Sequence, residues 1–361
     1  MKKILILGCG GTIAMVPDPK SGVLKPAKTV EDIATLVPTL KESADITLEQ
    51  LLNIDSTNMN PGHWAKISMV LAERVCQYDG IIVTHGTDTM AYTATAVSMA
   101  IGNNPPTPIV FTGSQLPLVA FGTDARFNLE NAMKTVIEAA RLSVNEVMIV
   151  FHDRVLRGTR TIKTSEAKFT AFDSPAFDEL AQINAIGVAF NQQVHKKTAE
   201  SKIVLKPHFQ RGILTVDLVP GIEPSILSAV MDSGTCQGLL LKSLGSGNVP
   251  SLDDFSIIPI IKKAASLSIP VLVSTKFVGG NTHMNTYEPG KEALAAGAIG
   301  TLDMTDVAAQ VKLMWALAQG YRSPEALKAI IETSLVGEVT APEAAEVSPL
   351  INTVVGGSFK M

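Results

Sequence analysis

The chain has 361 residues, of which 46% are hydrophobic and 18% are charged, and its net charge at pH 7 is −4. This composition predicts a globular protein with room for two domains and excludes a long disordered chain. The sequence contains no cluster of Lys and Arg and no apolar stretch of the ~20 residues that a membrane helix needs. We therefore expect neither a nucleic-acid nor a membrane partner.

The cysteines and the first residues bear on the compartment in which the protein works. Cys9, Cys76 and Cys236 are odd in number and show no CxxC spacing, which is typical of a reducing compartment and gives no disulfide framework or zinc site. The apolar run from Ile4 to Leu7 is too short for a signal peptide, because glycines follow it at once. We therefore expect a cytoplasmic protein that holds no metal.

Strand and helix patterns alternate through the first half of the chain. Short runs of Ile, Leu and Val predict buried parallel strands, and longer periodic segments predict helices. In chain order we expect a strand at 3–8, a strand at 46–54, a helix at 61–78, a strand at 80–84, a helix at 90–101, a strand at 108–112, a helix at 124–142 and a strand at 144–151. This alternation predicts a mainly parallel sheet with helices on both faces.

The pattern changes at residues 191–207, where the polar stretch NQQVHKKTAESK predicts a linker. Beyond it we expect strands at 212–218, 238–241 and 271–274, and helices at 224–233, 257–267, 291–296, 305–319 and 324–334. The prediction is an α/β fold of two α/β domains. The larger N-terminal domain, residues 1–190, contains the main catalytic residues, and the smaller C-terminal domain covers residues 208–361.

Two polar turns follow apolar strands of the first half, and the crevice at the carboxyl ends of such strands is where α/β sheets bind ligands. The first turn runs from Gly8 to Thr12, and the second holds Thr87 and Asp88. Ile13 stands where a dinucleotide fingerprint needs its third glycine, so nucleotide binding is disfavoured. Taken separately, the first turn is also typical of an ordinary tight turn and the second of a helix cap. The segment 15–28, punctuated by Pro and Gly, predicts a mobile loop that could serve as a lid.

Two further polar segments follow predicted strands. Asp55, Ser56 and Thr57 come after the strand at 46–54, where capping of the next helix is the alternative role. Lys163 comes after the strand at 144–151, where a solvated surface lysine is the alternative. His85, beside the second turn, is more typical of a structural histidine than of a catalytic one.

Together these segments resemble the bacterial-type L-asparaginase family, in particular its cytoplasmic type I branch. The turns GGTIA and THGTDT are both signatures of that family, and the resemblance extends from about residue 3 to 320. The stretches IDSTNMNP, FTGSQLPL and RTIKT, and DMT at Asp303–Thr305, are similar as well.

The resemblance implies hydrolysis of L-asparagine to L-aspartate and ammonia without a cofactor. Thr12 would be the nucleophile that attacks the side-chain amide carbon and forms an acyl-enzyme. Thr87 and Lys163 would form a second pair of hydroxyl and base, with Asp88 beside them. Asp88 would also accept a hydrogen bond from the α-ammonium group of the substrate.

The resemblance also implies a substrate-binding set and an oligomer. Ser56 would hold the α-carboxylate of the substrate, and the backbone N–H groups of Gly11 and Thr87 would stabilise the oxyanion. The expected binding residues are Gly11, Asp55, Ser56, Thr57, Gly86, Ser114 and, from a neighbouring subunit, Glu288. We accordingly expect a homo-oligomer, either a dimer or a tetramer.

One feature departs from the family pattern. Relatives commonly carry a tyrosine on the loop after the nucleophile, whereas this chain has no aromatic residue between Met1 and Trp64, and Val23 and Leu24 are the nearest counterparts.

Alternative functions are a glutaminase-asparaginase, a non-catalytic amino-acid sensor, or the amidotransferase subunit that supplies ammonia for Glu-tRNA amidation. That subunit carries an extra domain before its GGT turn, which disfavours it here.

Overall fold

The computed structural model describes residues 1–26, 28–192, 194 and 203–340. Residues 195–202 of the predicted linker and the C-terminal tail from residue 341 lie outside the described residues. The two largest sheets have eight and four strands, one in each half of the chain. The predicted α/β fold with a larger and a smaller domain is thus confirmed, whereas the domain boundaries stay a prediction.

The first half of the chain contains twelve strands and five helices within the described residues. The strands are β1 Lys3–Gly10, β2 Met15–Pro17, β3 Leu24–Pro26, β4 Asp45–Ile54, β5 Gly80–Thr84, β6 Ile109–Thr112, β7 Val147–Phe151, β8 Arg154–Arg157, β9 Ile162–Lys163, β10 Phe172–Asp173, β11 Ala181–Ile183 and β12 Val188–Phe190. The helices are α1 Val30–Leu36, α2 Thr39–Ser43, α3 Pro61–Arg74, α4 Met90–Ile101 and α5 Ala125–Leu142.

The second half, as far as it is described, has four strands and five helices. The strands are β13 Ile213–Asp217, β14 Gly238–Ser243, β15 Val271–Thr275 and β16 Ile299–Gly300. The helices are α6 Pro224–Asp232, α7 Ile258–Ser266, α8 Glu288–Ala295, α9 Asp306–Ala318 and α10 Pro324–Glu332. Among these described residues, no helix is both long enough and apolar enough to cross a membrane.

The eight-stranded sheet has the order β12-β11-β8-β7-β6-β5-β1-β4. Strands β4, β1, β5, β6 and β7 are parallel, and β8, β11 and β12 extend the sheet in antiparallel pairs. Alternate residues of β1 enter different cores: Ile4 and Ile6 pack on one face with α5, and Leu5 and Leu7 pack on the other with α3 and α4. A strand covered on both faces is apolar at every position, which explains why this run reads as continuous.

Three details differ from the sequence prediction. The segment predicted as a loop at 15–28 contains the antiparallel hairpin β2–β3, whose turn is closed by the Asp18 carboxylate accepting from the N–H groups of Lys20 and Ser21 at 3.0 Å. Helix α3 ends at Arg74 and not at residue 78. The strand predicted from residue 144 begins at Val147, because Ser143 takes a left-handed conformation (φ 57°) that ends α5 and turns the chain.

The two halves are joined through helices. A hydrophobic cluster combines Trp64 and Met99 of the first half with Leu240, Met314 and Trp315 of the second. Met314 and Trp315 belong to α9, which packs directly on α4. Because α4 begins at the carboxyl edge of the eight-stranded sheet, this packing places the second domain beside that edge.

Candidate functional site

Four turns meet at the carboxyl edge of the eight-stranded sheet. They follow the adjacent strands β4, β1, β5 and β6, in that spatial order. The turns are Ser56–Asn58 after β4, Thr12–Ala14 after β1, Thr87–Thr89 after β5, and residues 113–115 after β6. The parallel topology therefore brings together segments that the sequence separates by up to about one hundred residues.

Two glycines press three of these turns against one another. Gly11 has φ +87°, and a Cβ placed on it would lie 2.3 Å from the backbone nitrogen of Gly86. A Cβ on Gly86 would lie 2.5 Å from Oγ of Ser56. This contact requires glycine at both positions. Thr12 and Thr87 directly follow the two glycines and Ser56 touches Gly86, so the three hydroxyl residues lie around one point.

Lys163 reaches the turn that contains Thr87 from a segment that runs along α4. The carbonyl of Gly158 accepts a hydrogen bond from Oγ of Thr95 in the middle of α4, at 3.4 Å, and the chain then runs back toward the start of that helix. The Lys163 ammonium donates to Oγ of Thr87 at 2.8 Å and to the carboxylate of Asp88 at 2.6 Å. Thr87 is buried, whereas the Asp88 side chain is 54% exposed. The geometry thus joins a buried hydroxyl, an ammonium and a solvent-facing carboxylate.

Gln115 fixes the other side of Thr87. Its side-chain nitrogen donates to the carbonyls of Ser165 and Lys168, at 3.3 and 3.0 Å, so its side-chain oxygen is directed toward Thr87. The Thr87 hydroxyl donates to that oxygen at 3.3 Å. Gln115 lies in the stretch FTGSQLPL, which resembles the family, but the sequence predicts no role for it. Its position directly after Ser114 on a strand-end turn was the available signal.

The Thr12 side chain is half-buried and has no hydrogen-bond partner within the described part of the chain. In the same residues, the N–H groups of Thr12 and Thr87 also have no partner. The N–H of Gly11, in contrast, donates to the carbonyl of Ile54 at 3.0 Å. The expected oxyanion donor at Gly11 is therefore already engaged, and the N–H of Thr12 is the free donor next to it.

The predicted binding residues fall into two groups. Ser56 and Gly86 lie at the contact point of the turns. Asp55 and Ser114 are engaged locally: the Asp55 carboxylate accepts from the N–H and hydroxyl of Thr57 at 2.9 Å, and the Ser114 hydroxyl donates to the carbonyl of Leu116 at 2.5 Å.

Glu288 does not join this cluster in a single chain. It is the exposed first residue of α8, in the second domain, and it has no hydrogen bond or ion pair within the residues described.

Val23 and Leu24, at the tip of the β2–β3 hairpin, are 59% and 41% exposed. Neither residue supplies a polar group that could replace the tyrosine of the relatives.

His85 supports the second turn from below. It is fully buried, and its Nδ1 donates to the carbonyl of Gly86 at 2.7 Å. Burial lowers the pKa of His85 to about 4, although the hydrogen bond to Gly86 acts in the opposite direction. A neutral, buried imidazole that fixes a backbone carbonyl fits the structural role that the sequence indicated.

A cavity of about 330 Å³ opens beside Asp88 and Lys163, between the two domains. Its other wall comes from the second half of the chain and includes Lys242, Asp303 and Asp306. In the residues that the structure describes, no group of three His, Cys, Asp or Glu side chains is placed to hold a metal ion.

Comparison with known proteins gives the family. The asparaginase N-terminal model matches residues 3–196, and the glutaminase/asparaginase C-terminal model matches residues 213–331. The chain belongs to the asparaginase family. Among its relatives, the L-asparaginase of Thermococcus kodakarensis is 34% identical over 340 residues, which cover 94% of this chain and 99% of that protein. A glutamyl-tRNA(Gln) amidotransferase subunit of Aeropyrum pernix is 34% identical over 350 residues, covering 94% of this chain and 80% of that protein.

Solved asparaginase structures share the whole fold. The thermostable L-asparaginase from Thermococcus kodakarensis superposes with a TM-score of 0.85 at 33% identity, covering 94% of this chain and 100% of that chain. L-asparaginase I from Vibrio cholerae superposes with a TM-score of 0.81 at 30% identity, covering 94% and 99%. The resemblance to bacterial-type asparaginases, including type I, is confirmed, and so is the prediction of an asparaginase-family enzyme.

Proposed function

We propose that the chain hydrolyses L-asparagine to L-aspartate and ammonia, with Thr12 as the nucleophile. The observation that supports this most is the juxtaposition of a free Thr12 hydroxyl with the Thr87–Lys163–Asp88 arrangement across the contact of Gly11 and Gly86. A threonine hydroxyl is a weak nucleophile at neutral pH and needs a proton acceptor within reach. The buried hydroxyl of Thr87 is hydrogen-bonded to Lys163, and in this proposal the amine form of Lys163 is that acceptor.

In the proposed mechanism, Oγ of Thr12 forms a bond to the side-chain amide carbon of asparagine. The N–H groups of Thr12 and Thr87 stabilise the negative charge that develops on the amide oxygen. Lys163, as the neutral amine, takes up the proton of Thr12 through Thr87 and becomes an ammonium. As the C–N bond breaks, that ammonium returns the proton to the leaving nitrogen, which departs as ammonia. Water hydrolyses the resulting acyl-enzyme by the reverse route through the same relay.

Two groups at the rim of the site match the charges of an amino acid. The Asp88 carboxylate is exposed and can accept from the α-ammonium group, and the Ser56 hydroxyl at the turn contact can donate to the α-carboxylate. In this proposal Glu288 completes the pocket of a neighbouring subunit, because it is exposed and unpaired among the described residues of its own chain. The active form would be a homo-oligomer, a dimer or a tetramer, working in the cytoplasm.

Replacement of Thr12 by Ala tests the assignment. We expect ammonia release from asparagine to fall by at least ~10³-fold, since removal of a nucleophile leaves the residual rate from binding and oxyanion stabilisation. Thr35→Ala, which removes a hydroxyl from the surface of α1, is the matched control and should retain the parent rate. Release at the parent rate in Thr12→Ala would exclude Thr12 as the nucleophile.

A second candidate is an ammonia-supplying component of an amidotransferase. It is favoured by the 34% identity to the Aeropyrum pernix protein and by 33% identity to the Methanosphaera stadtmanae protein of the same name. Purified chain assayed with asparagine and with glutamine separates the two candidates. Release of ammonia from asparagine by the chain on its own supports the hydrolase, whereas glutamine turnover that requires an added tRNA-binding subunit supports the second candidate.

A further inference from the structure

Residues 335–340, which we call the strap, connect the second domain to the segment that precedes Lys163. The carbonyl of Val336 accepts from the Thr159 hydroxyl at 3.3 Å, and the carbonyl of Gly337 accepts from Nε of Arg160 at 2.7 Å. Both contacts bridge 177 residues of sequence. The strap therefore lies against residues 159 and 160, three to four positions before the lysine.

Arg160 and Asp303 close this contact with buried charges. The Arg160 side chain is 2% exposed and donates to the Asp303 carboxylate at 3.0 Å and to the Thr340 hydroxyl at 3.1 Å. Asp303 in turn accepts from the N–H and the hydroxyl of Thr340, at 2.9 and 2.5 Å. Its two oxygens are thus occupied by Arg160 and the strap, although the residue also lines the cavity that contains Lys163 and Asp88.

The strap is anchored independently in the second domain. Glu338 is fully buried, accepts from the N–H groups of Leu335 and Val336, and pairs with the fully buried Lys312 of α9 at 2.5 Å. The ammonium of Lys312 also donates to the carbonyls of Ile331 and Thr333. Arg160 is therefore held against a rigid element of the other domain.

The stretch from Arg160 to Lys163 transmits this constraint. The Thr161 hydroxyl donates to the carbonyl of Arg157 at 2.7 Å, and β9 then carries Lys163 directly to Thr87. On its far side, β9 pairs with β10, and next to that pairing the N–H of Thr164 donates to the carbonyl of Ala171 at 2.8 Å. The bonds of Thr161 and Thr164 lie within the first domain, whereas the support at Arg160 comes from the strap and Asp303 of the second.

We propose that Arg160 and Asp303, bound to the strap, are positioning residues that hold Lys163 against Thr87. This inference rests on the proposed function, in which Lys163 and Thr87 form the proton relay. A displacement of about 1 Å in a catalytic group can cost ~10²-fold in rate. Loosening of Arg160 should therefore lower kcat much more than it changes KM, since the binding residues Ser56 and Asp88 lie on other turns than Lys163.

Arg160→Lys and Asp303→Asn test the proposal through two measurements. We expect kcat for asparagine to fall about 10- to 100-fold with KM within about threefold of the parent. Arg74→Lys is the matched control. Arg74, at the end of α3, pairs with Glu49 at 3.1 Å and contacts neither the strap nor β9. Circular dichroism at the assay temperature establishes that each variant is folded.

The second measurement reads the position of Lys163 without relying on activity. Proteins are treated briefly with acetic anhydride, and labelling of Lys163 is compared by peptide mass spectrometry with labelling of Lys66 on α3 in the same sample. We expect labelling of Lys163 to rise at least about threefold in Arg160→Lys and Asp303→Asn, and to stay at the parent value in Arg74→Lys. Unchanged labelling of Lys163 in the folded variants would overturn the inference, whatever happens to kcat. A parent protein that releases no ammonia would overturn the proposed function and leave the labelling result to decide this one.

Discussion

The hydroxyl of Thr87 has a defined orientation, because it accepts a hydrogen bond from one neighbour and donates one to the other. Lys163 can only donate to its oxygen, and the side-chain oxygen of Gln115 can only accept its proton. The lone pair of Thr87 therefore faces the ammonium, and the proton faces Gln115. In the proposed mechanism, Lys163 must first lose a proton. The Thr87 hydroxyl must then turn from Gln115, to which its bond is the longer of the two at 3.3 Å, toward the resulting amine before the relay can operate.

Gly11 should be the least replaceable residue of the first turn. An alanine there would need φ 87° with ψ 178°, a region essentially restricted to glycine, which costs about 1–3 kcal/mol, and its methyl would collide with the Gly86 backbone, which adds about 1–3 kcal/mol. Gly22 is the matched control, since it also has a positive φ (+71°) but has no atom within 4 Å of a Cβ. We expect urea denaturation to show a clearly larger loss for Gly11→Ala than for Gly22→Ala. Equal losses would mean that the turns separate easily.

His85 should make the folded state sensitive to acid. Its pKa in the folded protein is about 4, below the ordinary value of 6.5, so between these values the unfolded chain binds a proton that the folded chain does not. Its contribution to stability is complete above pH 6.5 and is lost as the pH falls toward 4. From pH 7 to pH 5 the loss amounts to about 2 kcal/mol.

The His85→Asn variant isolates this effect, because the Asn side-chain nitrogen can donate to Gly86 in place of Nδ1. Free energies of unfolding from urea denaturation at pH 7 and pH 5 should differ less in the variant than in the parent, by about 2 kcal/mol. The same difference in both proteins would show that another group titrates.

At this scale the sequence predicts some residues and not others. Thr12, Thr87 and Asp88 could be placed because each lies in a local motif at a strand end. The role of Arg160 could not be predicted, although it begins the RTIKT stretch, because its partners Asp303 and Thr340 are 143 and 180 residues away. The engaged N–H of Gly11 was missed for a similar reason, since its acceptor Ile54 belongs to a neighbouring strand.

Among the elements, predictions succeeded where local chemistry defines the boundary. Helix α3 begins at Pro61 with the Asn60 side chain accepting from the N–H groups of Gly62 and His63, as the sequence pattern indicated. Strands β8, β11 and β12 were missed because each has three or four residues and is stabilised by antiparallel pairing with distant partners. Short strands of this kind are defined by the sheet that they join and not by their own composition.

The anchor of the strap in α9 should be a major source of stability. Burial lowers the pKa of Lys312, and Glu338 opposes that shift by stabilising the ammonium. Glu338→Ala would leave Lys312 buried and unpaired, so we expect a loss of about 3–5 kcal/mol in the free energy of unfolding. Glu332→Ala, which removes a surface pair with Lys328 at 3.9 Å, should cost less than about 1 kcal/mol. Denaturant unfolding compares the two, and similar losses would contradict a dominant buried pair.

At the scale of the whole molecule, the candidate site lies between two domains that are packed through α4 and α9. The first domain supplies Thr12, Thr87, Asp88 and Lys163, and the second supplies the far wall of the cavity and the anchor of the strap. If the two domains move relative to each other, Lys163 should therefore be displaced more than Thr12, because the strap of the second domain contacts Arg160.

The strap also sets an order of events during synthesis. Arg160 leaves the ribosome 180 residues before Thr340, which at ~5–20 residues per second corresponds to about 10–40 s. Throughout that interval the guanidinium lacks its complete set of partners, since Asp303 follows it by 143 residues and Thr340 by 180, although the strands around Thr12 and Thr87 have already emerged. The turn that contains Thr12 therefore emerges early, whereas Lys163 gains its support from the strap late. In the proposed mechanism, an unfinished polypeptide thus has the nucleophile without a supported relay.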